Sequence, residues 1–226
     1  MTQSVVFLDL DGTLIEPSRG IFACIHYALD ALGETSPGND SLRQWIGPPL
    51  RDSFAQFLGD ERADAAVSAY RERYNDIGWR ECALYPGVVD SLRTLVGAGY
   101  VLVVATSKPG VYAQRIVRHH GLDNLLADVC GAELDGRRSR KPELLAYANR
   151  HHGHRGVAML GDRRYDMEGA RANGLAALGA GWGFGSAEEL ARAGADRILD
   201  MPGELAAAIA GLAERRGRGA SPTPKR

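Results

Sequence analysis

Cysteine is scarce in this chain: three in 226 residues, Cys24, Cys82 and Cys130, far apart, odd in number and without a C-x-x-C pair. That excludes a disulfide scaffold and suits a reducing compartment. Long hydrophobic runs are missing too, and no stretch approaches the roughly 20 apolar residues of a membrane-crossing helix. The opening MTQSVVFLDLDG has neither the basic lead-in nor the long apolar core of a signal peptide. The expectation is a soluble, cytoplasmic protein with no membrane partner.

An excess of positive charge is also lacking. The formal charge is −1, from 27 Lys plus Arg and 28 Asp plus Glu. It divides unevenly, because the last 13 residues, Glu214 to Arg226, hold five basic residues and one acidic, leaving a body of −5. A chain built around nucleic-acid phosphates would carry its positive charge on the folded surface, so no nucleic-acid partner is expected. There are no internal repeats and no Walker-type G-x-x-x-x-G-K-[ST]. The glycine run from Gly179 to Gly185 fails the dinucleotide fingerprint, since Phe184 stands where the third glycine belongs. It reads instead as a loop flanking a site, with Trp182 and Phe184 as possible substrate contacts. The histidine groups, His119-His120 and His151-His152-x-His154, fall at predicted helix ends, where the helix dipole favours a cation; that explains them without zinc.

What is present is an alternation of short apolar runs and helical periodicity. Continuous runs at Val5–Leu8, Tyr100–Ala105 and Val157–Leu160 predict strands covered on both faces, with weaker ones at Asp128–Gly131 and Leu175–Leu178. Helical spacing appears at Val88–Val96, Pro109–His120, Pro142–His151 and Asp166–Ala172. From Tyr85 onward the pattern predicts an α/β fold, a doubly wound, Rossmann-like parallel sheet. Residues 17–81 break it. Four helices are expected there, at Gly20–Leu32, Ser41–Ile46, Leu50–Leu58 and Ala63–Tyr74, with no strand among them. The expected organisation is a catalytic core of residues 1–16 and 82–213, a helical cap of 17–81 inserted after the first strand, and a disordered basic tail of 214–226.

Chemistry-bearing residues follow the strands. Asp9-Leu10-Asp11-Gly12-Thr13-Leu14 comes directly after the first, and in extended chain Asp9 and Asp11 point the same way. Two carboxylates that close need a cation or a shared proton. Ala105-Thr106-Ser107-Lys108-Pro109 comes after the second and offers hydroxyls for an anion, Thr106 first and Ser107 as the alternative. Lys141 precedes a proline that opens a helix, and Gly161-Asp162-Arg163-Arg164-Tyr165-Asp166 follows a later strand.

In this order the four segments resemble the motifs of the haloacid dehalogenase superfamily. The resemblance implies a phosphatase in which Asp9 attacks phosphorus to form an aspartyl-phosphate, while Asp11 first protonates the leaving oxygen and then activates water. Dehalogenating members lack the second aspartate, so Asp11 argues for phosphate over halide. The resemblance further implies that Thr106 and Lys141 hold the phosphoryl group and that Leu10 and Ser107 line its site. Mg²⁺ would be bound by Asp9, the Asp11 carbonyl, Asp162 and Asp166, since hard oxygens suit it. The cap would select a small phosphate ester, with Arg51 of Trp45-Ile46-Gly47-Pro48-Pro49-Leu50-Arg51 as its candidate contact. That loop, with Gly161–Ala170 and Gly181–Leu190, is similar to a bacterial subgroup near the phosphoglycolate phosphatases, some members of which are 5′-nucleotidase-like. A phosphomutase of the same superfamily and a non-catalytic phosphate-binding module are the rival readings. Oligomeric state is left open.

Overall fold

The computed structural model describes residues 3–218. β1 (Val5–Leu8) lies at the centre of a six-stranded sheet with β4 (Val101–Pro109), β5 (Asp128–Ala132), β6 (Gly156–Gly161), β7 (Ala176–Ala180) and β8 (Arg197–Leu199). The order is β5-β4-β1-β6-β7-β8, and every pair is parallel. From β1 the chain winds out through β4 to β5, then returns to the other side of β1 for β6, β7 and β8. The direction of winding therefore changes beside β1, where the strand ends of such a sheet open a crevice.

Strand geometry sends alternate residues to opposite faces, and the core divides accordingly. Val6 and Leu8 of β1 join Leu102 and Val104 on one face, covered by α5 (Val88–Gly97), α6 (Gly110–His119) and α10 (Leu205–Arg218) through Leu92, Ile116 and Ile209. Val5 and Phe7 join Val103, Ala105 and Met159 on the other, under α7 (Lys141–His151), α8 (Arg164–Ala172) and α9 (Ala187–Arg192) through Leu144, Met167 and Leu190. Both faces are buried, which is why these strands read as unbroken apolar runs.

Between β2 (Ile15–Glu16) and β3 (Ala83–Leu84) the chain makes a helical block: α1 (Ser18–Ala31), α2 (Asn39–Leu42), α3 (Leu50–Leu58) and α4 (Asp60–Asp76), with short 3-10 turns at Arg43–Trp45 and Gly78–Arg80. β2 and β3 pair antiparallel, so the block leaves and rejoins the sheet domain side by side. It has its own core, in which Ile25, Leu29, Leu42, Phe54, Ala66 and Tyr70 meet, and Tyr112 of α6 packs against it.

Most elements lie where the sequence pattern puts them, and the departures have local causes. β4 runs on to Pro109 by pairing with β5 through a register shift, so Thr106, Ser107 and Lys108 belong to a strand end and α6 starts one residue later than expected. The helix expected at Ser41–Ile46 is one α turn continued as 3-10, since Pro48 and Pro49 stop it. β2, β3 and β8, of two or three residues each, are too short to leave a periodic signature. α10 carries the chain to Arg218, past Glu214 where the tail was expected to begin; residues 219–226 lie outside the described residues.

Phe54 is fully buried and meets Trp45 and Tyr70 edge-on, with centroids 5.3 and 6.5 Å away. Phe54→Ala is expected to lower unfolding free energy by about 3–5 kcal/mol, measured by urea denaturation.

Candidate active site

The loop after β1 is built around one carbonyl. Leu10 O accepts N–H groups from Leu14 at 2.9 Å and Ile15 at 3.0 Å, while Gly12 N–H donates to Ile15 O at 2.8 Å. Gly12 sits at φ +79°, and a Cβ there would lie 2.2 Å from Asp162 Oδ2, so both its backbone shape and its lack of a side chain are used. The turn leaves Asp9 and Asp11 at the crevice and feeds the chain into β2.

Asp9 is 8% exposed; its Oδ1 accepts from Leu10 N–H at 2.8 Å and faces Lys141 Nζ at 2.9 Å. Its Oδ2 has no hydrogen bond among the described residues. Asp11 is held by Lys108, whose Nζ lies 2.7 Å from Oδ1 and 2.5 Å from Oδ2. Burial raises the Asp11 carboxyl above its ordinary pKa, with Lys108 opposing the rise. Thr106 is buried next to Asp9's strand, and its Oγ1 accepts from Lys108 N–H at 3.3 Å.

Lys141 is buried at the start of α7, with Pro142 in the first turn. Its ammonium donates to Ala105 O at 2.9 Å and lies 2.6 Å from Asp166 Oδ1 as well as 2.9 Å from Asp9. Burial works against its charge, but Asp166 and Asp9 overcome it and raise the pKa, so the lysine is a cation.

Asp162 directly follows β6 and is buried; its Oδ2 accepts Phe184 N–H at 2.9 Å and its Oδ1 accepts from Thr13 Oγ1 at 3.4 Å. Burial, then the charges of Asp166 and Asp9, push it well above the usual carboxylate range. Asp166 caps its own helix by accepting Arg163 N–H at 3.0 Å, and burial raises it to about 6 against the pull of Lys141.

Asp9, Asp162 and Asp166 each offer an oxygen within 4.8 Å of the others. Three buried carboxylates around a single ammonium leave an unbalanced negative charge. A hard divalent cation would relieve it, and an all-oxygen donor set fits Mg²⁺. Asp166 Oδ2 accepts Arg163 N–H, while its buried Oδ1 lies 2.6 Å from Lys141 Nζ and has no hydrogen bond among the described residues.

A family model described as haloacid dehalogenase-like hydrolase matches residues 5–180, a span that holds every one of these side chains. The chain belongs to the haloacid dehalogenase-like hydrolases. Among relatives of this hydrolase, a 5′-nucleotidase of Pseudomonas aeruginosa is 43% identical over 189 residues, covering 82% of this chain and 86% of that protein. Tyrosine-protein kinase PtkA of Mycobacterium tuberculosis is 37% identical over 81% of this chain and 64% of its own length. More distant relatives include phosphoglycolate phosphatases at 25% to 27% identity. The crystal structure of a predicted phosphatase from Clostridium acetobutylicum superposes with a TM-score of 0.87 at 35% identity, covering 93% of this chain and 100% of that one. The expected family and the enzyme class drawn from the four motifs are thereby met.

Not every residue singled out in the sequence reaches the crevice of this hydrolase. Asp9, Asp11, Thr106, Lys141, Asp162 and Asp166 converge, Leu10 supplies the carbonyl of the loop, and Ser107 follows Thr106 half-buried. Arg51 does not join them: its guanidinium is exposed, 3.0 Å from Asp60 and 2.8 Å from Asp64 on the helical block's own surface. Trp182 is structural, its Nε1 donating to Thr13 O at 3.0 Å. Three residues passed over in the sequence are at the site or its rim. Lys108 grips Asp11 and lies 5.3 Å from the Tyr74 ring centroid. Arg163 reaches across to Ile46 O of the helical block while pairing with Glu189 at 3.0 Å, and Arg43 lies over Phe184 at 5.3 Å. Lys108 had a signal: it is a cation two residues beyond Thr106, in the same motif segment. The other two arise from packing between distant segments and have none.

The raised carboxyls predict how the metal-free protein responds to pH. A folded pKa of about 6 for Asp166, against 3.8 ordinarily, means that the folded chain holds a proton that the unfolded chain has released. Stability then falls as pH rises across that interval. In chelator the melting temperature should therefore be higher at pH 5 than at pH 7, and Mg²⁺ should raise it more at pH 7.

Proposed function

We propose that this hydrolase is a phosphomonoesterase for a small phosphorylated metabolite and works through an aspartyl-phosphate on Asp9. The observation that carries the reading is the contrast between the two neighbouring aspartates. Asp9 has one oxygen fixed by Lys141 and Leu10 N–H and the other without a hydrogen bond among the described residues, as a nucleophile requires. Asp11 is a carboxyl raised by burial and paired to a lysine, as a proton carrier requires.

In the first step Asp9 Oδ2 bonds to phosphorus as the bond to the ester oxygen breaks, and Asp11 delivers its proton to the departing alkoxide. In the second, Asp11, now a carboxylate stabilised by Lys108, takes a proton from water as that water attacks phosphorus. Inorganic phosphate leaves and the Asp9 carboxylate is restored. Lys141 and Thr106 stabilise the charge on the transferring group. Mg²⁺, held by Asp9, Asp162 and the Asp11 carbonyl with Asp166 behind, would supply charge neutralisation at the phosphoryl oxygens.

The helical block acts as the cap. Its two strands, β2 and β3, join at the crevice, and it meets the rim through Arg163 to Ile46, Arg43 to Phe184 and Tyr74 to Lys108. Closure there excludes water other than the reactive one. With Arg51 engaged elsewhere, Arg43 is the better candidate for contacting the substrate's leaving group.

The 43% identity to a 5′-nucleotidase makes nucleoside 5′-monophosphates the first substrates to try, followed by phosphoglycolate and sugar phosphates. The likeness to PtkA supports a second reading, transfer to a tyrosine hydroxyl instead of water. Phosphate release from the ester panel, with no labelling of tyrosine by ATP, distinguishes the two. Asp9→Asn is expected to lower kcat on p-nitrophenyl phosphate by at least about a thousandfold with the fold intact by circular dichroism. Asp11→Asn should cost roughly 10²–10⁴-fold, more with poor leaving groups than with p-nitrophenolate. Full activity in Asp9→Asn would sink the mechanism.

A further inference from the structure

One cluster of ligand-type side chains takes no part in the phosphoryl chemistry. Asp128 opens β5, the edge strand of the sheet, and His151 and His152 end α7 beside it. His152 Nε2 lies 3.1 Å and His151 Nε2 3.8 Å from the same oxygen, Asp128 Oδ2. One nitrogen from each histidine and one oxygen from the aspartate all lie within 4.8 Å of one another. The two imidazoles meet edge to face, with centroids 5.2 Å apart and planes at 85°.

We propose that Asp128, His151 and His152 form a binding site for a divalent transition metal of the Zn²⁺ class, separate from the phosphatase crevice.

The spacing carries the argument. Ligands about 2.0–2.1 Å from a tetrahedral Zn²⁺ stand about 3.3 Å apart. The 3.1 and 3.8 Å separations bracket that value. His151 has to close up, and its side chain, 59% exposed at a helix end and stacked on Tyr147 with centroids 6.0 Å apart, has solvent on one side into which it can adjust. A simple hydrogen bond needs one histidine on the carboxylate, whereas here two converge on one oxygen. The carboxylate is already oriented: Asp128 Oδ1 accepts Val129 N–H at 2.7 Å, which turns Oδ2 towards the histidines. Cys130 adds to this, its Sγ 3.5 Å from Oδ2. Cys130 serves as a donor that braces the carboxylate and is not counted as a ligand.

Two imidazoles and a carboxylate select Zn²⁺, Co²⁺, Ni²⁺ or Cu²⁺ over Mg²⁺, whose preference is for oxygen alone. The chemistry is thus the complement of the Asp9, Asp162 and Asp166 set. The place differs too. Asp128 pairs with Val103, three residues before Thr106, which puts it about 10 Å back along the strands from the crevice. Asp128 and His151 also line a groove of about 370 Å³ between β5, α6 and α7, so an ion and the waters completing its shell have access from solvent. Bound there, the metal would tie the end of α7 to the sheet edge.

The test uses the full chain without a histidine tag, in saturating Mg²⁺ so that the acidic crevice is filled, titrated with Co²⁺ and followed by visible ligand-field absorption. Wild type should bind one Co²⁺ that Zn²⁺ displaces. His152→Ala should abolish the band, and His151→Ala, exposed and safe for folding, should weaken binding by more than about tenfold. His120→Ala, at the other histidine pair, and Asp162→Asn, in the crevice, should leave the band in place. A wild-type chain with no cobalt band, or His151→Ala and His152→Ala proteins that bind as tightly as wild type, would overturn the proposal. Loss of the band in Asp162→Asn would assign the metal to the crevice and overturn it equally. Because the readout is metal binding, failure here leaves the phosphatase reading untouched, and loss of turnover in Asp9→Asn leaves this site untouched.

Discussion

Mutual repulsion among buried carboxylates is the constraint on which the rest of this molecule depends. Asp9, Asp162 and Asp166 are at most 8% exposed and face one another across a few ångströms. Charges so placed are costly unless they are paired. The chain supplies one fixed cation, Lys141, and the remaining imbalance is what underlies the proposed binding of a divalent ion and of phosphate in the crevice. Lys108 performs the same service for Asp11 a short distance away. The topology exists to bring these groups together: carboxylates leave β1 and β6, which are adjacent, while the two lysines come from the end of β4 and the start of α7, flanking the same change of winding direction.

The sheet domain was readable because each of its signals was local and agreed with the global arrangement. Val5-Val6-Phe7-Leu8 is apolar on both faces because both faces are covered, and its run into two aspartates marks a strand end. The motif residues could be placed because they follow strands directly. The helical block was legible as helices but not as a binding surface. Arg51 looked free in the sequence, yet α4 begins right after Gly59 and sets Asp60 and Asp64 against it. Nothing in the spacing of Arg51 to Asp64 distinguishes a surface ion pair from a substrate contact.

Lys108 illustrates a different limit. The expected strand stops at Ala105 and the expected helix starts at Pro109, whereas β4 continues to Pro109 through a register shift that sets Lys108 against Asp11. The residue in contact with Asp11 thus lies at an element boundary, where periodicity is least informative. His151 and His152 show a third kind of gap. Their position at a helix end accounts for them cheaply until Asp128, more than 20 residues earlier, is seen beside them.

The ammonium of Lys141 donates to the Ala105 carbonyl and lies within ion-pair distance of Asp9 and Asp166. It is therefore a junction joining β1, β4, α7 and α8 as well as a counter-charge. Removing any one of its acid partners leaves a buried cation underpaired, and removing the lysine leaves two acids opposed. Such a set resists piecemeal replacement: a descendant that abandons this chemistry has to abandon several members together, and one that keeps the fold has reason to inherit the junction whole, even where its substrate has changed.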